Sequence, residues 1–469
     1  MVAGKGWHRA FRDLPREHGF EPLAVEGALP EDLRGTLYRV GPAIFSTFGR
    51  PYRHWFDADA GIMAARIGDG AAAGASRVVV SDDLARERAA GRQLYAGYGT
   101  PGPSWRRRLG GAAKNTGNTN LLAWGERLYA LYEAGPPIAV DRGDLRARGE
   151  TSLGGLVTDH LSAHPHRLPG RAATYNFAIV YGRVTYLEVY EFPDVGAGGR
   201  RLASIPLPWP PLVHDCILSA DHMILHLPPL RLRALKQYLG LGVFEDNLEW
   251  EPERGSLFLV IPLDDPERPI FLETEACFTW HFANAYADGG ELVVDLVRYP
   301  DFATDRWLVG LLNGAPKEAP TGTFYRARLD LDARRVAWEE RWPRLCEFPT
   351  VADAVAGTRH RYVYMAAHSS AEAGRRGIQD RLCRLDVDTG EAIEVDLGDG
   401  HFPSEALFVA RPQARAEDDG YLLPLVYDAG SDRSYVAVLD AADLEAGPRA
   451  RLWFDHHIPF TFHGVWTPG

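Results

Sequence analysis

Short apolar runs broken by tight-turn residues recur along this chain more persistently than any other pattern, and they decide which folds are open to it. Residues 283–297 (ANAYADGGELVVDLV), 325–342 (YRARLDLDARRVAWEERW), 381–398 (RLCRLDVDTGEAIEVDLG) and 421–440 (YLLPLVYDAGSDRSYVAVLD) each read as two strands about a turn. Val, Leu, Tyr and Phe alternate with polar residues, and Asp-Gly, Thr-Gly and Gly-Ser-Asp supply the turn conformations that hairpins need. An antiparallel all-β protein follows. Helical patterns are confined to Asp82–Tyr95, which has an acidic start, and Thr304–Leu312, which opens on a residue suited to capping. They read as insertions, because they do not alternate with strands as a doubly wound or barrel α/β fold demands. The 469 residues are too many for one β-sandwich, and no Pro/Gly/Ser-rich linker divides them. At about four strands and roughly 40–70 residues per blade, the expectation is a single seven-bladed β-propeller.

Composition narrows the function. An apolar content of 46% is enough for a large core. The net charge of -12, from 63 acidic and 51 basic side chains, argues against a nucleic-acid footprint and suits a small neutral or apolar ligand. Cys216, Cys277, Cys346 and Cys383 form no CxxC pair and no Asn-x-Ser/Thr sequon is present, which points to a reducing compartment. The amino terminus lacks a signal-like apolar core, and no stretch approaches the roughly 20 apolar residues of a membrane span. The chain therefore reads as a soluble cytoplasmic protein with no obligate protein partner. HExxH, GxSxG, phosphate-loop and paired-carboxylate signatures are all missing, and Gly240-Leu241-Gly242 is too short for a nucleotide loop.

Chemistry-bearing residues are concentrated in a few histidine strings. His164 lies in SAHPHRLPG with His166 two residues on, His214 in PPLVHDCIL, His281 in CFTWHFANAY and His463 in PFTFHGVWTPG. Each has an ordinary local explanation, as a polar turn or a satisfied core histidine. Local sequence does not choose between His164 and His166. Taken jointly with Glu133, Glu347 and Glu405, the four strings suggest a non-haem iron site, because neutral imidazoles leave a divalent ion its full charge and carboxylates offset part of it while fixing the ring tautomers.

The chain resembles the carotenoid cleavage oxygenase family, which includes apocarotenoid and lignostilbene oxygenases and the visual-cycle retinoid isomerase. LPEDLRGTLYRVGPA, HWFDADAG, NTGNTNLLAWGERLYALYEAGPPIAVD, AHPHRLPG, LVHDC, WHFANAY, EFPTV, HFPSEALFVARP and FTFHGVW occur in the family's order from residue 29 onward. The resemblance implies a seven-bladed propeller with a helical and loop cap over its metal-bearing face. It implies one Fe(II) per chain held by His164, His214, His281 and His463, with Glu133 partnering His214, Glu347 partnering His281 and Glu405 partnering His463. It also implies that Thr119 projects toward the open coordination positions. Four ligands on an octahedral ion leave two positions free, whereas four nitrogens would normally close a zinc site.

The implied reaction is cleavage of a carbon-carbon double bond of an apocarotenoid or carotenoid to two carbonyl products, with O2 as co-substrate. Stilbene or phenylpropene cleavage and a non-oxidative isomerisation are the alternatives. Trp55, Phe56, Tyr132, Trp280, Phe282, Phe460 and Phe462 are candidates for an apolar substrate cavity. The stilbene-cleaving subgroup places Lys where this chain has Tyr132, which favours an apocarotenoid. Two apolar segments, 227–244 and 307–312, are candidates for a cap that either contacts a membrane peripherally or packs on the propeller face.

Overall fold

The computed structural model describes residues 6–103, 113–196 and 198–469. Seven sheets of four or five strands surround a central axis, and we number them as blades in chain order. Blade 1 combines Gly35–Ile44, Asp59–Gly68, Ala71–Val78 and His18–Pro22 with the C-terminal strand Gly464–Pro468. That last strand pairs with Gly35–Ile44, register Gly35↔Pro468 to Arg39↔Gly464, and closes the ring from inside. The N-terminal strand Ala24–Gly27 closes it a second time at the outer edge of blade 7, against Pro448–Trp453. Blades 2 to 6 are each four strands laid side by side in chain order, as hairpin connections dictate. The hairpins expected at 283–297, 325–342, 381–398 and 421–440 are all present.

A blade packed between two neighbours buries both of its faces. The middle and inner strands are therefore near-continuous apolar runs, as in Gly420–Asp428, while alternation persists in outer strands such as Arg335–Trp342. Six hydrophobic clusters each fill one interface between adjacent blades. A seventh, the largest, lies between blades 5 and 6 and continues through Trp7, Phe11, Trp55, Trp280 and Trp307 into the cap.

Four α-helices are present among the described residues: α1 (Asp82–Ala90), α2 (Ala234–Tyr238), α3 (Thr304–Leu312) and α4 (Ala371–Arg376). The Ser81 hydroxyl caps α1 by accepting from Leu84 N at 3.1 Å. The helix stops short of the expected Tyr95 because Gly91 takes a left-handed φ of 61°. In α3 the expected cap, Thr304, is instead the first helical residue; Ala303 precedes it without a side-chain cap, and Trp280 Nε1 donates to the Thr304 hydroxyl at 3.4 Å. No helix among the described residues is long and apolar enough to cross a membrane.

Candidate metal centre and substrate cavity

Each blade contributes a residue from within or just ahead of its innermost strand to a single place on the axis. Thr119 precedes Asn120–Trp124 of blade 2, and His164 lies just ahead of His166–Leu168 of blade 3. His214 leads into Cys216–Leu218 of blade 4, His281 precedes Phe282–Asp288 of blade 5, and His463 precedes Gly464–Pro468 of blade 1. Blades 6 and 7 contribute Glu347 and Glu405 from within Cys346–Thr350 and His401–Ala410. Glu133 enters separately, from the turn after Arg127–Leu131.

All four imidazoles are buried, and their rings converge. Centroids stand 4.3 Å apart for His164 and His214, 5.2 Å for His164 and His281, 4.9 Å for His164 and His463, and 4.8 Å for His281 and His463. One ring nitrogen from each of His164, His214 and His281 lies within 4.8 Å of the other two. Nδ1 of three rings faces a carboxylate: His281 with Glu347 Oε2 at 2.5 Å, His463 with Glu405 Oε1 at 2.7 Å, and His214 with Glu133 Oε1 at 2.5 Å, the last poorly aligned for a hydrogen bond. With Nδ1–H committed to a carboxylate, Nε2 presents a bare lone pair. His164 Nε2 and His214 Nε2 are 3.0 Å apart, and His463 Nε2 and His281 Nε2 are 3.1 Å apart. For His281 and His463, whose Nδ1 atoms both face carboxylates, two lone pairs held that close are relieved by a cation between them. Ligands at right angles on an ion with bonds of about 2.1 Å stand about 3.0 Å apart, against about 3.4 Å for tetrahedral neighbours. The two spacings suit neighbouring nitrogen ligands of a single divalent ion, so the donor set fits such an ion.

The surroundings set the electrostatics. Burial and the neighbouring imidazoles hold His164 well below the usual histidine range. Burial also pulls His281 down, but Glu347, Asp215 and Glu405 together outweigh it and leave the ring raised. At His463 burial prevails over Glu405 and the ring stays lowered. Burial acts to raise both Glu347 and Glu405, yet each is held below the ordinary carboxylate range, Glu347 chiefly by His281 and Glu405 chiefly by His463.

Several supporting residues escaped the sequence reading. Arg39, fully buried, donates from Nη1 to Glu405 O at 3.0 Å and Oε2 at 3.2 Å, from Nη2 to Phe462 O at 2.8 Å and from Nε to Thr461 Oγ1 at 2.8 Å. The signal was an Arg inside an apolar strand. The Tyr299 hydroxyl donates to Glu347 Oε1 at 2.8 Å, and Phe348, at φ 55°, stacks on His281 at 5.2 Å. Nothing local marks either. His166 turns away from the ring of imidazoles, with Nε2 2.7 Å from Asp215 Oδ1.

A cavity of about 1030 Å³ opens over the imidazoles, crossing from blades 2 and 3 to blades 5 and 6. Trp55, Phe56, Tyr132, Trp280 and Phe462 line it, together with Thr119 and Glu133. Phe282 and Phe460 do not: Phe282 packs between blades 4 and 5, and Phe460 packs against Phe11 and Tyr427 at 5.4 Å and 5.8 Å. The Thr119 hydroxyl donates to Asn118 Oδ1 at 3.2 Å and so offers no free donor to the cavity.

At the cavity mouth, Ala234, Leu235, Gln237 and Tyr238 of α2 line the opening, while α3 covers it with Trp307 and Leu308. The two apolar cap candidates behave differently. Trp307, Leu308 and Leu311 are buried, so 307–312 packs on the propeller, whereas Leu235, Tyr238, Leu239 and Leu241 are 72%, 64%, 44% and 56% exposed. Arg231 and Arg233 pair with Glu249 and Glu251. Behind α3, the Tyr98 hydroxyl donates to Asp305 Oδ1 at 3.0 Å and His54 Nε2 lies 3.4 Å from the same oxygen. Burial, then Asp305, pushes nearby Glu245 up to about 7.

Comparisons with known proteins agree with this arrangement. The family model described as retinal pigment epithelial membrane protein matches residues 11–468. The chain is 31% identical over 478 residues to an apocarotenoid-15,15'-oxygenase of Synechocystis sp., covering 98% of this chain and 96% of that protein. It is 27% identical to carotenoid 9,10(9',10')-cleavage dioxygenase 1 of Arabidopsis thaliana, covering 95% and 86%. The crystal structure of cobalt-substituted Synechocystis ACO superposes with a TM-score of 0.90 at 29% identity, covering 100% of this chain and 99% of that one. A seven-bladed ring closed at both ends, four converging imidazoles and a match over nearly the whole length lead to one conclusion: the chain belongs to the retinal pigment epithelial membrane protein family, the carotenoid cleavage oxygenases.

Proposed function

We propose that this protein is a non-haem Fe(II) dioxygenase that cleaves a carbon-carbon double bond of an apocarotenoid or carotenoid to two carbonyl products. The observation that carries the reading is the convergence of imidazole Nε2 atoms, 3.0 Å and 3.1 Å apart in two pairs, on the floor of an aromatic-lined cavity. His164, His214, His281 and His463 hold the iron, and Glu133, Glu347 and Glu405 hold the rings in the tautomer that presents Nε2. When bound, the ion supplies activation of O2 toward an electron-rich alkene. The protein's remaining work is positional. Trp55, Phe56, Trp280 and Phe462 exclude water and set which double bond lies over the imidazoles, and Thr119 narrows the approach beside them. The exposed apolar face of α2 at the mouth serves to take a poorly soluble polyene from a membrane surface, consistent with peripheral attachment.

Supply of 18O2 to purified iron-loaded protein with an apocarotenal should label both carbonyl products. Product formation without O2 would overturn the oxygenase reading in favour of isomerisation. Stilbene or phenylpropene cleavage is a second reading: Tyr132 stands where the stilbene cleavers have Lys, but it lines the cavity, and its hydroxyl, which has no hydrogen-bond partner among the described residues, is a donor available to a phenol oxygen. Parallel turnover of apocarotenals, carotenes and hydroxystilbenes decides between them.

A further inference from the structure

Three of the four imidazoles face a glutamate, and His164 does not. The nearest carboxylate oxygen to its Nδ1 is Asp215 Oδ1 at 3.7 Å, too far for a hydrogen bond. Asp215 is itself buried, and its contacts are unusual in where they lead. Oδ1 accepts from Cys216 N at 2.7 Å and stands 2.7 Å from His166 Nε2, while Oδ2 accepts from Phe282 N at 3.0 Å. Cys216 begins the inner strand of blade 4, two residues past His214. Phe282 begins that of blade 5, directly after His281. His166 begins that of blade 3, two residues past His164. One carboxylate thus bonds to the first residue of three successive inner strands, each of which carries an imidazole of the site just ahead of it.

We propose that Asp215 is a positioning residue of the metal centre: it fixes the blade 3, 4 and 5 strand starts relative to one another, and with them the His164, His214 and His281 rings that precede those strands. Two alternatives are weaker. A core aspartate that merely satisfied its own strand would need only Cys216 N, and a polar plug between blades would have no reason to reach all three ligand-bearing strands. The chemistry also explains why the amide cannot substitute. Asparagine offers one acceptor oxygen in place of two, so it meets either Cys216 N or Phe282 N, and it turns an N–H toward the other donor. The proposal rests on the metal reading of the four imidazoles. It goes beyond that reading by assigning the His164 quadrant, and the His166 side chain, a function.

The test compares full-length wild type, Asp215→Asn and His166→Gln, each loaded with iron(II) and, separately, with cobalt(II). The rate of metal loss to a chelator and the visible absorption of the cobalt form are read beside the melting temperature of the metal-free protein. Asp215→Asn is expected to lose metal about 10–100-fold faster, the usual effect of removing a carboxylate that orients a ligand, and to shift the cobalt bands. His166→Gln should keep its metal at saturation and show a smaller acceleration in the same direction. A wild-type loss rate and unaltered cobalt bands in Asp215→Asn would overturn the proposal. So would a lower melting temperature with no change in either readout, because a purely structural aspartate gives that result. Should Asp215→Asn fail to fold, His166→Gln decides: an unchanged loss rate overturns the proposal. If wild type itself binds neither ion, the metal reading has failed.

Discussion

The axis and the cap of this molecule are built by different rules, and the contrast explains what each can do. On the axis, residues come from within or just ahead of inner strands, every one buried between two blades, and each ring is tied through Nδ1 or through a neighbouring strand. At the cap, residues come from α2, α3 and the connections around them, where one apolar segment is packed and the other leaves Leu235, Tyr238, Leu239 and Leu241 44–72% exposed. The first region fixes its rings with buried hydrogen bonds. The second leaves apolar side chains open to solvent beside the cavity. A rigid centre under an adaptable mouth is the division expected of an enzyme whose chemistry is constant and whose substrate must be threaded in.

The largest expected effects fall on the axis. Replacing His281 by Ala, or deleting residues 460–469 with His463 and the blade 1 closing strand, should abolish metal binding, measured as iron content of protein purified without chelators. Full iron content in either variant would break the assignment. Arg39→Met comes next, because it leaves the Glu405 carboxylate buried without its guanidinium. A loss of about 3–5 kcal/mol in denaturant unfolding is expected. The cap should respond on a different scale and in different observables. Leu235→Glu with Leu241→Glu should weaken sedimentation with liposomes while turnover of a detergent-dispersed substrate stays near wild type; equal loss of both would show that α2 also shapes the cavity. Gln379 is buried, lines the cavity and has no hydrogen-bond partner among the described residues. Gln379→Leu should move the preference for oxygenated over hydrocarbon polyenes by about tenfold, read as a ratio of kcat/KM values, since an unpaired buried amide disfavours an all-carbon ligand.

The smallest effect is on pH dependence. Glu245 lies above its ordinary value of 4.5, at about 7, with Asp305, His54 and Asp246 acting on it. Because its folded pKa is raised, its contribution to stability is fully present below pH 4.5 and is lost as pH rises through 7. Glu245→Gln should therefore flatten the fall in melting temperature between pH 5 and pH 8 that wild type shows. An identical slope in both proteins would place the titration elsewhere.

The same contrast governs how much could be read from the chain. Blade number and hairpin positions were legible because turn chemistry is local, and α3 was legible over its whole length. The four histidines and three glutamates were legible only through the order of their motifs, since nothing adjacent to His164 distinguishes it from His166. What separates the two is Asp215, forty-nine residues from His166 in sequence and 2.7 Å from it in space. Arg39 and Tyr299 were missed for the same reason: each acts on a residue in another blade. Phe460 was misplaced because its partner, Phe11, belongs to the amino-terminal segment, and α1 was drawn too long because Gly91 reverses the backbone.

The placement of one residue per blade in or just ahead of its inner strand turns the centre into a seven-letter word, spelled around the ring from blade 2 as Thr119, His164, His214, His281, Glu347, Glu405 and His463. Insertions in outer hairpins leave that word unchanged, whereas a single-residue slip of one inner strand replaces a letter and turns its neighbour into the core. Divergence on this scaffold can therefore be free at the rim and must be conservative in register at the hub.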